Sequence, residues 1–428
     1  MAGNIKEIEA KQFNKEVLEI KGGVVLDFYS TECPPCEALA SKYEGLSEVY
    51  GDDITFLKIF RQGNRELAES LGVTGSPTVI FYKDGKETGE RLTGGIKRSD
   101  LQTNLENLLP AEREAELRDS IKPVETECDV IILGGGPAGL TAGIYLAQAH
   151  IKTVLVDIGL PGGYVSTTHQ VSNYPGFVEP QAGMMLAHFM SEQTKAAGVE
   201  YRAAVDVTSV DLKNKTVIVD GYETIKAIKV IIATGSSPRP LGLKGEMEYR
   251  GNGISYCATC DGKYYQDKEI IVIGGGNSAI EESLFLAKFA KKITVVHQFA
   301  ELQANKLAQE QIFAEEKVNF LFEHEPREFR KNGTMDMEVV VENLRTKEYS
   351  SLKTNGVFVF VGFIPNLEGF RNELDLDEWG YIKTDDFMRT NIPDVYAAGD
   401  VKSKLFRQIT TAAADGTIAA MTISKELQ

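Results

Sequence analysis

"DVIILGGGPAGLTAGIYLAQAHIKTVLVD", Asp129–Asp157, reads as a strand, a turn, a helix and a second strand. Gly134, Gly136 and Gly139 fit G-x-G-x-x-G: the first permits the tight turn, the second lets backbone approach a pyrophosphate, and the third lets helix and strand pack closely. Asp157 ends the second strand, where an acid binds a ribose hydroxyl. Val130 to Ile151 carries no formal charge and is long enough to span a membrane. Gly134-Gly135-Gly136-Pro137 breaks it, and that reading is rejected.

The plan recurs in "EIIVIGGGNSAIEESLFLAKFAKKITVVHQ", Glu269–Gln298. Gly274, Gly276 and Ala279 take the glycine positions, and His297 stands as far from Gly274 as Asp157 stands from Gly134. Two dinucleotide units in one chain suggest the plan of a flavin disulfide reductase. Between them lies "SYCATCDGKYY", with the pair Cys257/Cys260.

The chain has 428 residues, enough for about three domains. Its hydrophobic fraction is 43%, with 25% charged, as in globular proteins with large cores. A net charge of −16 argues against nucleic-acid binding, which needs a basic face, and offers nothing to an anionic membrane. The N-terminus has no apolar signal core, so a cytoplasmic protein is expected.

Four of the five cysteines form two Cys-x-x-Cys pairs, Cys33/Cys36 and Cys257/Cys260. In a cytosolic chain such pairs are redox-active or metal-binding. They lie in different predicted domains and redox surroundings, so no metal site is expected. Cys128 reads as a small buried residue.

"VVLDFYSTECPPCEALASKYE", Val24–Glu44, reads as a buried strand, a loop and a helix that Cys33 opens, with Pro34 and Pro35 allowed in the first turn. A helix N-terminus stabilises a thiolate, so Cys33 is the expected exposed nucleophile and Cys36 the resolving thiol. From about Ile5 to Leu109 the segment resembles thioredoxin. Asp27 matches that family's buried acid, Lys58 the acid's partner, and Ser76-Pro77-Thr78 the cis-proline turn. Val79–Gly95 matches the closing hairpin, with Asp84-Gly85 as its turn signal. Glu32 and Pro34 depart from the family, which has tryptophan and glycine there. Pro110 to Glu127 is strongly charged without an apolar stripe and reads as a partly helical linker.

From about Asp129 to the end the chain resembles low-molecular-weight thioredoxin reductase. The motifs are "GGGPAG", "SNYPGF" (Ser172–Phe177), "ATG" (Ala233–Gly235), "CATCDG", "GGGNSA" and "AAGDVKSKLFRQITTAAADG" (Ala397–Gly416). The resemblance implies that Gly134, Gly136, Gly139, Asp157, Asn173, Thr234, Asp400, Arg407 and Gln408 bind FAD. It implies that Cys257 and Cys260 are a redox disulfide, with Cys260 nearer the flavin and Asp261 its acid/base. Tyr164 departs from the family's usual glutamine. The implied architecture is α/β: a thioredoxin fold over 1–109, a charged linker over 110–126, a discontinuous FAD-binding domain over 127–238 and 364–428, and an inserted redox-disulfide domain over 239–363. A homodimer is also implied.

NADPH-linked members of that family carry H-R-R-x-x-x-R after the second strand, and its arginines clamp the 2′-phosphate. Here His297 remains, but Gln298, Phe299 and Gln303 hold the arginine positions. NADPH is therefore disfavoured, and NADH is not cleanly specified. Some relatives use ferredoxin or a deazaflavin, and this chain resembles them in lacking the clamp. Lys288, Lys291 and Lys292 are candidates for a local basic patch.

The expected function is a thioredoxin reductase joined to its thioredoxin. Electrons pass through FAD and Cys257/Cys260 to Cys33/Cys36, then to protein disulfides, a peroxiredoxin among the candidates. One alternative is an NADH-dependent alkyl hydroperoxide (peroxiredoxin) reductase. A non-enzyme alternative is a flavin-bound redox sensor.

Overall fold

The computed structural model describes residues 5–31, 33–168, 171, 173–332 and 336–427, without the side chains of Cys260 and Asn332. Glu32 and Ser172, both singled out above, lie outside the described residues.

The fold is α/β, and the described residues form three separate five-stranded sheets beside smaller ones. The first orders its strands Ile5–Glu7, Ile54–Phe60, Gly23–Tyr29, Thr78–Lys83 and Lys86–Thr93. The first three run parallel and the last two antiparallel, as expected of a thioredoxin fold. Asp84 and Gly85 both take positive φ in the final hairpin, and the Ser76–Pro77 peptide is cis.

The second sheet is wholly parallel: Val395–Ala397, Lys229–Ile232, Val130–Leu133, Thr153–Asp157 and Glu200–Ala203. Val130, Ile131 and Ile132 are fully buried, which explains their unbroken apolar run, since both faces of such a sheet are covered. Helices Pro137–Gln148 and Ile409–Leu427 pack together on it. A strand near the C-terminus thus completes a sheet begun near residue 130. The third sheet is also parallel: Ile254–Ser255, Gly356–Val359, Glu269–Ile273, Lys292–His297 and Val318–Phe322. Ser236–Pro238 and Phe363–Pro365, the chain's way into and out of this unit, run antiparallel beside each other.

The charged stretch after Pro110 is more ordered than its composition suggests. Ala111–Ser120 is a helix whose Leu117 enters the core of the first sheet, and Arg118 pairs with Glu106 at 2.5 Å. Val124–Glu127 is an edge strand, parallel to Glu223–Lys226.

Candidate active site

Asp27 lies in the centre of strand Gly23–Tyr29, opposite Lys58 on the next strand. Cys33 caps helix Pro34–Tyr50 and is disulfide-bonded to Cys36; its sulfur accepts from Cys36 N–H at 3.3 Å. Cys33 is 9% exposed, so the expected exposed nucleophile is nearly buried, packed 3.5 Å from the Ser76 carbonyl oxygen. Burial pushes the Asp27 carboxyl up to about 7 from 3.8, against the attraction of Lys58.

The folded chain therefore holds a proton on Asp27 that the unfolded chain releases between pH about 4 and 7. This raised value makes stability fall as pH rises through that window, and the penalty is complete above it. A carboxyl displaced this far costs about 4 kcal/mol. Asp27→Asn is expected to stabilise this unit by up to about that amount at pH 8 and to gain nothing below pH 4. Calorimetry at the two pH values checks both ends.

Around the N-terminus of helix Pro137–Gln148 the distant motifs converge. Gly134 takes φ +105°, and a Cβ there would meet Ala233 O at 2.4 Å and Thr234 Cα at 3.0 Å. Gly135 N–H donates to Asp157 at 2.6 Å and Gly159 N–H at 2.8 Å. Burial still outweighs both bonds and raises the Asp157 carboxyl to about 6. Gly399, beside Asp400, abuts Ala138, and Asp400 lies 3.2 Å from Lys404 Nζ. Asn173 donates to Gln408 at 3.1 Å. Thr234 Oγ1 donates to Asn366 O at 2.7 Å. The Arg407 guanidinium stacks 3.7 Å over the Tyr381 ring, and its Nε is buried without a hydrogen-bond partner.

These features fit a bound dinucleotide. The extended Gly136 has only Gly163 Cα near its absent Cβ, at 3.9 Å, which leaves an open cradle at a helix N-terminus. At Gly139 a Cβ would lie 1.9 Å from Gly134 O. Gly136→Ala is expected to fold but purify with little flavin, whereas Gly139→Ala loses flavin and fold together. Flavin absorbance per chain and circular dichroism separate the two.

Cys257 is disulfide-bonded and lies 3.8 Å from the carbonyl oxygen of Thr167, which also accepts from Thr259 Oγ1. Thr167 ends the short helix Gly163–Thr167, which begins at the cradle's Gly163. Cys257 thus stands at the wall of the dinucleotide site. Cys260 and Asp261 belong to the short helix Ala258–Asp261, and the Cys260 side chain lies outside the described residues. Nearby, Glu282 carried no sequence signal, and Tyr164 only its departure from the family's glutamine. Burial and neighbouring Glu281 raise Glu282 to about 7, and burial, with a smaller push from the Glu282 charge, raises Tyr164, whose ring meets Phe363 edge-on at 5.2 Å.

At the second glycine turn, Gly274 takes φ +132° and His297 ends its strand as expected. The His297 ring lies on Gly275, where a Cβ would meet it at 2.5 Å, and its Nε2 is buried without a partner. Gln298, Phe299 and Gln303 are all exposed.

Residues 128–416 match the model of the pyridine nucleotide-disulphide oxidoreductase family. The chain belongs to that family. Residues 4–107 match the thioredoxin model. A thioredoxin reductase of Peptoclostridium litorale is 43% identical over 312 residues, covering 71% of this chain and 98% of that protein. A 34.2 kDa protein in a rubredoxin operon of Clostridium pasteurianum is 42% identical over 302 residues, covering 70% and 97%. Among solved structures, Lactococcus lactis thioredoxin reductase in its FR conformation aligns with TM-score 0.66 at 41% identity, covering 70% of this chain and 98% of that one. T. acidophilum thioredoxin reductase aligns with TM-score 0.65 at 32% identity, covering 70% of this chain and 99% of that one. The oxidoreductase family implies FAD, and the chain is a flavin-dependent disulfide reductase. Among its described residues, no helix is long and apolar enough to cross a membrane, and no group of three or more His, Cys, Asp or Glu is placed to hold a metal.

Proposed function

We propose that the chain relays electrons through two disulfides, first Cys257/Cys260 and then Cys33/Cys36, to disulfides of other proteins. FAD bound in the Gly136 cradle supplies a two-electron carrier able to reduce an adjacent disulfide. Gly134, Gly136, Gly139, Asp157, Asn173, Thr234, Asp400, Arg407 and Gln408 would hold it, Arg407 with the donor now left unpaired. Cys257 opens as the nucleophile towards Cys33, Cys260 is the thiol nearer the cradle, and Asp261 handles the proton. Asp27 takes the proton of Cys36 when that thiol resolves the substrate's mixed disulfide.

The observation carrying this reading is Cys257 beside the short helix that borders the cradle, in the same chain as a Cys33–Cys36 disulfide whose Cys33 caps a helix and a buried Asp27 on the preceding strand. The donor we favour is ferredoxin or a reduced deazaflavin, because no cation stands at 298, 299 or 303 to meet a 2′-phosphate. The intact turn at Gly274 and Gly276 favours NADH as the second reading, with a peroxiredoxin as the final acceptor. Anaerobic flavin bleaching tested in parallel with reduced ferredoxin, reduced deazaflavin, NADH and NADPH decides between the donors. Insulin-disulfide reduction with the successful donor tests the relay.

A further inference from the structure

The thioredoxin domain is seated on the FAD-binding half through a specific set of contacts. Lys42, only 7% exposed, donates to the carbonyl oxygens of Ile96 at 2.9 Å, Ala203 at 2.8 Å and Ala204 at 2.7 Å. All three ammonium donors are thus used, two of them across the interface. Lys97 pairs with Asp206 at 2.8 Å, and Ser99 Oγ donates to the same carboxylate. The buried Arg98 guanidinium lies 4.5 Å over the Tyr222 ring. Lys195 pairs with Glu37 at 2.6 Å, and Gly95 faces Leu160, whose Cγ stands 3.4 Å from where a Cβ would be. A buried ammonium is costly unless its donors are satisfied, so Lys42 marks a built contact rather than a chance one.

The seat keeps the two redox pairs apart. Glu37, next to Cys36, is tied to Lys195 near the C-terminal end of helix Gly183–Ala196. Cys257 lies against Thr167, and the N-terminal Gly183 of that same helix donates to the adjoining Thr168 O at 3.0 Å. About 18 Å of helix separates the two anchor points at 1.5 Å per residue. Thiol exchange needs the two sulfurs at bonding distance, about 2 Å.

We propose that this surface is a docking site that parks the thioredoxin domain, and that the domain must leave it before Cys257 can reach Cys33. The proposal rests on the relay above only for the identity of the reductant. In the step that follows undocking, the Cys257 thiolate attacks Cys33 Sγ, the Cys33–Cys36 bond breaks and Cys36 takes up a proton. Cys260 then attacks Cys257, and Cys33 leaves as a thiol. Two electrons and two protons pass from one pair to the other.

A carbodiimide applied to the full-length, FAD-loaded protein converts close ion pairs to amides. Peptide mapping is expected to find Glu37 joined to Lys195 and Asp206 joined to Lys97. Photoreduced deazaflavin then supplies electrons without oxygen, and alkylation followed by mass spectrometry reads each cysteine pair. In the locked protein Cys257/Cys260 should be reduced normally and Cys33/Cys36 at least about a hundredfold more slowly, as expected when reacting atoms are held out of place. The double variant Lys97→Ala, Lys195→Ala, treated identically, should escape the lock and keep its rate. Absence of both cross-links in the unmodified protein would overturn the dock, and an undiminished rate in the locked protein would overturn the need to leave it. Failure of Cys33/Cys36 reduction without any cross-linker would instead overturn the relay, while the cross-links still report the dock.

Discussion

Replacing Cys33 by serine is expected to bring reduction of insulin disulfides down to background while leaving flavin reduction and Cys257/Cys260 reduction unchanged. Cys33 is the helix cap, and only its sulfur lies where unpaired N–H groups and the helix dipole favour a thiolate. Cys36 sits one turn inside and cannot replace it as the entering nucleophile. Cys260→Ser has the opposite signature: flavin still reduces, but neither pair receives electrons. Rapid-mixing absorbance follows the flavin, and differential alkylation follows each pair. Normal insulin reduction by Cys33→Ser would show that the thioredoxin domain is not the outlet.

The second large effect concerns the missing clamp. Micromolar NADPH is expected to leave the flavin of the unmodified protein oxidised, and a low-potential donor to bleach it. The loop after His297 folds back on the glycine turn without using a charge: Gln303 N–H donates to Gly275 O at 2.8 Å, and the Phe299 ring meets His297 edge-on at 5.3 Å. Because positions 298, 299 and 303 are all exposed, arginines there need not be buried. Each hydrogen bond to a charged group contributes about 1.5–3 kcal/mol. The triple variant Gln298→Arg, Phe299→Arg, Gln303→Arg should therefore bind NADPH at least about 100-fold more tightly and leave NADH affinity nearly unchanged. Titration calorimetry with both nucleotides measures the difference. Fast bleaching of the unmodified protein by micromolar NADPH would contradict the reading of this loop.

Much of this architecture is legible because its signals are local. A buried parallel strand is an apolar run, a pyrophosphate turn needs glycine where Cβ would strike backbone, and a helix-capping cysteine advertises its own chemistry. Gly134, Gly139 and Cys33 are of this kind. The dock is different. Lys42 reads as an ordinary helix lysine, and its partners Ala203 and Ala204 contribute only carbonyl oxygens, which carry no side-chain signature. The segment after Pro110, partly helical as expected, hides its packing for a related reason. One leucine, Leu117, anchors its helix, and the rest is held by ion pairs such as Arg113–Asp53 at 2.9 Å, so no apolar stripe forms. Strand Val124–Glu127 lies at a sheet edge with mostly exposed side chains, and an alternating pattern is not required there. Glu282 acts on the Tyr164 hydroxyl through space across two units, a coupling that no local motif encodes.

The most direct test of the relay is to trap it half-way. With Cys36→Ser and Cys260→Ser in one chain, neither mixed disulfide can be resolved, and Cys33 and Cys257 are left as the two attacking thiols. Gentle oxidation of the FAD-loaded double variant, followed by digestion and mass spectrometry, is predicted to find the Cys33 and Cys257 peptides joined by a disulfide in most chains. Recovery of both as separate thiols, under conditions that oxidise an added small dithiol, would contradict the account.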